Sequence, residues 1–144
     1  FPHAIPGIFE ALAVETIETA IRRYRIDSKK YSGLDKPRHF IGLTADEFYK
    51  AGDLAVVMVR ASVDQATDSP WPWGLGYQTT IDCYDEAAED DVLPGASADL
   101  AEITHIHFYG SVYLWALGRL DSDKFLQSAK SSVDLAINAL QVSR

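Results

Sequence analysis

Glu102 and His105 stand at i and i+3, so a helix running through them carries a carboxylate and an imidazole on one face. Two such Glu-x-x-His pairs, joined by single glutamates from two further helices, build the di-metal carboxylate centres of four-helix bundles. Here the second pair is missing, because none of His3, His39 and His107 has a glutamate three residues before it. Glu15 or Glu18 can add a ligand and a homodimer can supply more, so a divalent metal held by Glu102 and His105 is an alternative reading. The plainer expectation is that His105, set in an apolar stretch, bonds to a neighbouring tyrosine or to Glu102 as a satisfied polar core group.

Asp82, Asp85, Glu86 and Glu89 follow at i, i+3, i+4 and i+7, which places four carboxylates on one side of a helix, with Asp90 and Asp91 just beyond. Like charges at that spacing weaken a helix unless a cation or a basic partner offsets them. The run 82–86 lacks the adjacent aspartates used to hold magnesium for diphosphate chemistry. A solvated face, or a docking face for something basic, is expected instead.

The basic complement lies in residues 22–39, where Arg22, Arg23, Arg25, Lys29, Lys30, Lys36 and Arg38 stand against only Asp27 and Asp35, a local charge of +5. Interleaved with Tyr24, Tyr31 and His39, these residue types can contact phosphates and stack on bases. The chain as a whole carries −8, so everything outside this segment carries −13 and repels a long polyanion. This argues against nucleic acid as a partner, and no glycine-rich phosphate loop is present. Docking onto the chain's own acidic helix, onto another copy or onto a foreign acidic protein suits the segment better. Trp71 and Trp73 flank Pro72, which stiffens the pair for an interface or for capping one end of a bundle. Ser111 and Cys83 fall inside helical patterns rather than on a strained turn, and no base and orienting acid accompany them, so nucleophilic catalysis finds little support.

Length and composition bound what must position these groups. The 144 residues, 47% hydrophobic with a single cysteine, suit one domain that builds a core without disulfides. The longest stretch free of Asp, Glu, Lys and Arg, 103–118, is 16 residues, short of the roughly 20 that span a bilayer. A soluble chain is expected, in a compartment the sequence does not specify. Its start at Phe1 rather than Met suggests processing or truncation.

Apolar residues recur at steps of three and four over 6–24, including Phe9, Ala13, Ile17, Ala20, Ile21 and Tyr24. A basic connection of about 25–43 follows, marked by Gly33 and Pro37. Thr44 and Glu47 match a capping box that opens a second helix running to about 67, apolar on all sides at 54–59. An aromatic, Pro/Gly-containing loop of about 68–78 leads to a third helix capped by Thr79 or Thr80 and reaching about 92. The fourth helix, about 98–119, is the most apolar and should lie at the centre. A fifth, with Phe125, Ala129, Val133, Ala136, Ile137 and Leu140 on one stripe, should return antiparallel to it after a tight turn.

The expected fold is an all-α, single-domain bundle of about five helices over 1–144. The expected function is non-enzymatic protein–protein interaction or self-assembly through Arg22, Arg25, Lys29, Lys30, Arg38, Trp71, Trp73 and the acidic face Asp82, Asp85, Glu86 and Glu89. No cofactor is expected on this reading, and an inhibitor covering a basic enzyme surface is one form of it. The alternatives are a metal-binding helical protein of the ferritin-like carboxylate/histidine kind and a small-ligand carrier with a cavity near Tyr109, Tyr113 and Trp115.

Overall fold

The computed structural model describes residues 4–63, 75–88 and 95–142. Among them every regular element is helical: α1 (Ala4–Asp27), a 3₁₀ turn (Ser28–Lys30), α2 (Asp35–Ala51), α3 (Asp53–Val63), α4 (Leu75–Ala88), α5 (Ser97–Ala116), α6 (Ser122–Lys130) and α7 (Ser132–Val142). No described helix is long and apolar enough to cross a membrane. Among the described residues seven α-helices stand where about five were expected over the chain.

The basic connection shrinks from about 25–43 to 28–34, because α1 runs on to Asp27 and α2 begins at Asp35. Pro37 sits in the first turn of α2, where a backbone N–H would have no intrahelical acceptor, so proline starts the helix rather than breaking it. The capping box is overturned with it. Thr44 lies mid-helix, its hydroxyl donating to the Phe40 carbonyl at 2.9 Å, and Glu47 pairs with Arg23 instead of capping. Gly52 then divides the expected second helix. At φ 57° and ψ −128° it occupies backbone space that side chains disfavour, and its N–H reaches the Phe48 and Tyr49 carbonyls while its own carbonyl accepts from Val56. The 54–59 stretch is not covered all round: Ala55 and Val59 are buried, Leu54 and Val57 exposed.

Thr80 is likewise interior to α4, donating to the Gly76 carbonyl at 2.7 Å, so the third helix opens at Leu75 rather than at Thr79 or Thr80. Residues 75–78 of the expected loop are thus helical, and 68–74 lie outside the described residues.

α5 holds the central position expected of it, packing against α3, α4, α6 and α7 and burying Leu100, Phe108, Val112 and Ala116. One of its faces nevertheless meets solvent, with Ile106 60% exposed and Tyr113, Leu114 and Leu117 half-exposed. It ends in a Schellman motif: Arg119 N–H bonds to the Leu114 carbonyl at 2.8 Å and Gly118 N–H to that of Trp115 at 3.0 Å, with Gly118 at φ 73°. Asp121 caps α6 by accepting from Lys124 N–H at 2.9 Å. Trp115 stacks on Phe125 and Ser111 meets Ser128, the order of an antiparallel pair. At Ser131 the helix is interrupted without turning away, since Ser131 N–H reaches Gln127 and its carbonyl accepts from Leu135. The expected stripe survives the break, with Phe125, Ala129, Val133, Ala136 and Ile137 buried. One contiguous core draws residues from α1 through α7, including Ile17, Tyr24, Phe40, Phe48, Val59, Tyr84, Phe108 and Phe125.

Candidate functional site

The segment 22–39 folds into a corner where α1 ends, the 3₁₀ turn reverses the chain and α2 begins. Its cations divide into two sets. The inner set is paired within the molecule: Arg23 with Glu47 at 2.6 Å, Lys36 with Glu86 at 3.3 Å, and Arg38 with Asp134 at 2.7 Å and Asp35 at 3.1 Å. Hydrogen bonding to Asp134 holds the Arg38 guanidinium above its ordinary pKa. Arg22, Arg25, Lys29 and Lys30 form the outer set, all exposed. Arg22 donates to the Thr19 hydroxyl, and none of the four makes an ion pair with a described carboxylate. Ile26 projects among them, 84% exposed.

The acidic helix lies beside this corner. Glu86 accepts from the Tyr24 hydroxyl at 3.2 Å and pairs with Lys36, which ties α4 to the last turn of α1 and the first of α2. Of the expected acidic face, Glu86 is thus tied to Tyr24 and Lys36 while half-exposed, and Asp82, which accepts from Gln78, and Asp85 are exposed. Glu89, Trp71 and Trp73 lie outside the described residues.

Beneath the corner runs an open groove of about 600 Å³. It is lined by Arg23 and Asp27 of α1, by Asp35, Arg38, His39, Gly42 and Asp46 of α2, and by Lys130 at the end of α6. His39 Nε2 lies 2.8 Å from Asp27 Oδ1, and its ring stacks on Tyr31 at 4.0 Å and 17°. Asp46 and Lys130 make no ion pair with any described residue. Gly42 lies inside α2 without positive φ, and nothing stands within 4 Å of where its Cβ would be. A helix-interior glycine costs about 1 kcal/mol against alanine. Neither the backbone nor a neighbour requires it here; its effect is to leave the groove open beside it.

His105 belongs elsewhere. It is buried in α5, its Nε2 3.0 Å from the Thr80 hydroxyl oxygen and its ring against Tyr77 and Tyr109. Because the Thr80 proton goes to the Gly76 carbonyl, the Thr80 oxygen accepts from His105 Nε2–H. Burial pulls the imidazole down to a pKa of about 4, so it is neutral near pH 7. Glu102 is exposed, so the two residues of the alternative metal reading differ in environment, and among the described residues no three His, Cys, Asp or Glu side chains converge. Tyr109, Tyr113 and Trp115 are not brought around one cavity either: Tyr109 packs on Phe48 and Phe108, Trp115 on Phe125, and Tyr113 is exposed.

Cys83 is fully buried beside Tyr24, and burial pushes its thiol up to about 12. Too little thiolate forms at neutral pH for it to act as a nucleophile. Native protein should therefore react with an aromatic disulfide reagent at least about a thousandfold more slowly than urea-unfolded protein, since labelling requires opening of the core. Equal rates would place the thiol at the surface.

Sequence reasoning located the corner through its charge and its interleaved Tyr31 and His39, and missed the groove. Asp27 and His39 are twelve residues apart, a spacing with no helical meaning, and Asp46 and Lys130 come to line one groove only through the packing of α2 on α6. Compared with known proteins, the chain matches no family model, no curated protein and no solved structure.

Proposed function

We propose that the chain is a non-enzymatic helical association domain that pairs with a second copy of itself through the outer cations of the corner and the acidic face of α4. One observation carries the reading. Arg22, Arg25, Lys29 and Lys30 on one side and Asp82 and Asp85 on the other are exposed and unpaired with described residues of opposite charge, and Glu86 holds the two sides next to each other. Two adjacent patches of opposite sign are self-complementary under a two-fold rotation: each copy sets its cations against the other's carboxylates, and the contact closes as a dimer. Ile26 adds apolar area inside the charged ring, the part of an interface that excludes water.

Such a contact is salt-sensitive, because the screening length falls from about 10 Å at 0.1 M to about 3 Å at 1 M salt. Sedimentation should show a concentration-dependent dimer at low salt that dissociates as salt rises. Replacing Arg25, Lys29 and Lys30 with glutamate should weaken it about tenfold to a hundredfold, at about 1 kcal/mol or less per surface pair. Mixing that variant with one carrying Asp82→Lys and Asp85→Lys should restore pairing between the two. Monomeric behaviour of the unaltered chain at low salt and high concentration, or failure of the charge-swapped pair to associate, overturns the proposal.

A further inference from the structure

The groove under the corner carries a second assignment, independent of how the outer surface pairs. Its permanent charges balance: Arg23, Arg38 and Lys130 face Asp27, Asp35 and Asp46. That balance gives no preference for a polyanion, and among the described residues no carboxylate cluster there suits a metal ion. Most of these charges already have partners, Arg23 in Glu47, Arg38 in Asp35 and Asp134, and Asp27 in His39. Asp46 and Lys130 are the exceptions, one anion and one cation from different helices lining the same groove, each without an ion-pair partner among the described residues and not paired with each other.

We propose that this groove binds a zwitterionic small molecule of the amino-acid class, its ammonium group against the Asp46 carboxylate and its carboxylate against the Lys130 ammonium. A ligand with both signs satisfies both side chains at once, whereas a simple anion would leave Asp46 repelling it and a simple cation would meet Lys130. About 600 Å³ lies within the range of small-molecule sites, and the open space at Gly42 supplies room that any side chain would remove. Leu43 and the Tyr31–His39 stack give the groove apolar and aromatic lining for whatever the zwitterion carries between or beyond its charges. A free amino acid and a short peptide share the two charged ends and differ in the distance between them.

The full chain would be titrated with the twenty L-amino acids and with the dipeptide glycylglycine, reading backbone amide shifts of Tyr31, Gly42 and Asp46 by NMR. At least one probe should shift these amides with millimolar or tighter affinity, and amino acid against dipeptide distinguishes the two sources. N-acetylation or amidation of that probe should each weaken binding at least tenfold, as should Asp46→Asn or Lys130→Gln. Gly42→Leu, which alters no charge and replaces a helix-interior glycine, should fold as well as the parent and lose binding. No shift with any probe at 10 mM, roughly the weak limit of a specific site, overturns the proposal. So does equal binding of the blocked derivatives, or binding unaffected by Gly42→Leu. Inorganic phosphate shifting the same amides in the Asp46→Asn variant as in the parent, with no zwitterion effect, would mark a plain anion site and equally overturn it.

Discussion

Phe48→Ala should lower the stability of the chain by about 3–5 kcal/mol, the range for deleting a large aromatic from a well-packed core. Phe48 is wholly buried in the last turn of α2 and meets Phe108 and Tyr109 of α5 edge-on, with ring centroids at 6.0 and 6.4 Å. These ring contacts join two helices that otherwise share a core mainly through their neighbours. The truncation removes apolar surface from burial and two aromatic contacts, and leaves a void whose walls belong to different helices. Against a typical total of about 5–15 kcal/mol, the variant would be close to unfolding. Urea denaturation with an unchanged m-value is the measurement. Phe48→Leu should cost less than half as much, and Tyr49→Ala, next in the chain but exposed, well under 1 kcal/mol. A loss below 1 kcal/mol for Phe48→Ala would mean that α2 and α5 do not meet as described.

Acid should act on the same core through His105. Its folded-state pKa of about 4 lies below the 6.5 of an unfolded histidine, so between those values the unfolded chain takes up a proton that the folded chain refuses. Stability therefore falls as pH drops from about 6.5 and levels off for this group below about 4, with a span of about 3 kcal/mol. Burial lowers His107 as well and adds in the same direction. Surface carboxylates lose their ion pairs over part of this range, so the informative quantity is a difference. In His105→Gln, whose side-chain amide can still donate toward Thr80, the dependence of unfolding free energy on pH between 4 and 6.5 should be markedly flatter than in the parent. Parallel curves for the two proteins would show that His105 is solvated.

Helical stripes were legible wherever burial follows a single period: Ala13, Ile17, Ala20 and Tyr24 on α1, and Phe125 through Ile137 across α6 and α7, are buried as their spacing predicts. Boundaries were less so, because the same residue means different things by position. Pro37 reads as a breaker until its place in the first turn of α2 is known, and Thr44 with Glu47 imitates a cap while serving a helix interior and an ion pair. Part of the charge complementarity was also legible. Lys36 does meet Glu86, and Arg38 finds Asp35 one helical turn before it, but Arg23 and Arg38 also find Glu47 and Asp134, partners that no local pattern connects to them. The groove depends on α1, α2 and α6 converging, and a side chain's own neighbours in sequence carry no record of that.

The tight turn at Gly118 bears on the order in which the chain assembles. It sets Trp115 against Phe125 after only 10 residues, whereas Tyr24 and Glu86 are brought together across 62. The entropy of closing a loop grows with the logarithm of its length, so the longer closure costs about 1.6 kcal/mol more before any contact offsets it. The α5–α6 hairpin can therefore form early from local contacts alone and offer a surface on which α2 condenses. The α1–α2 side of the corner, where Asp27 meets His39 across 12 residues, is nearly as local as the hairpin, so the long closure falls on the contact that brings α4 and its acidic face to the corner.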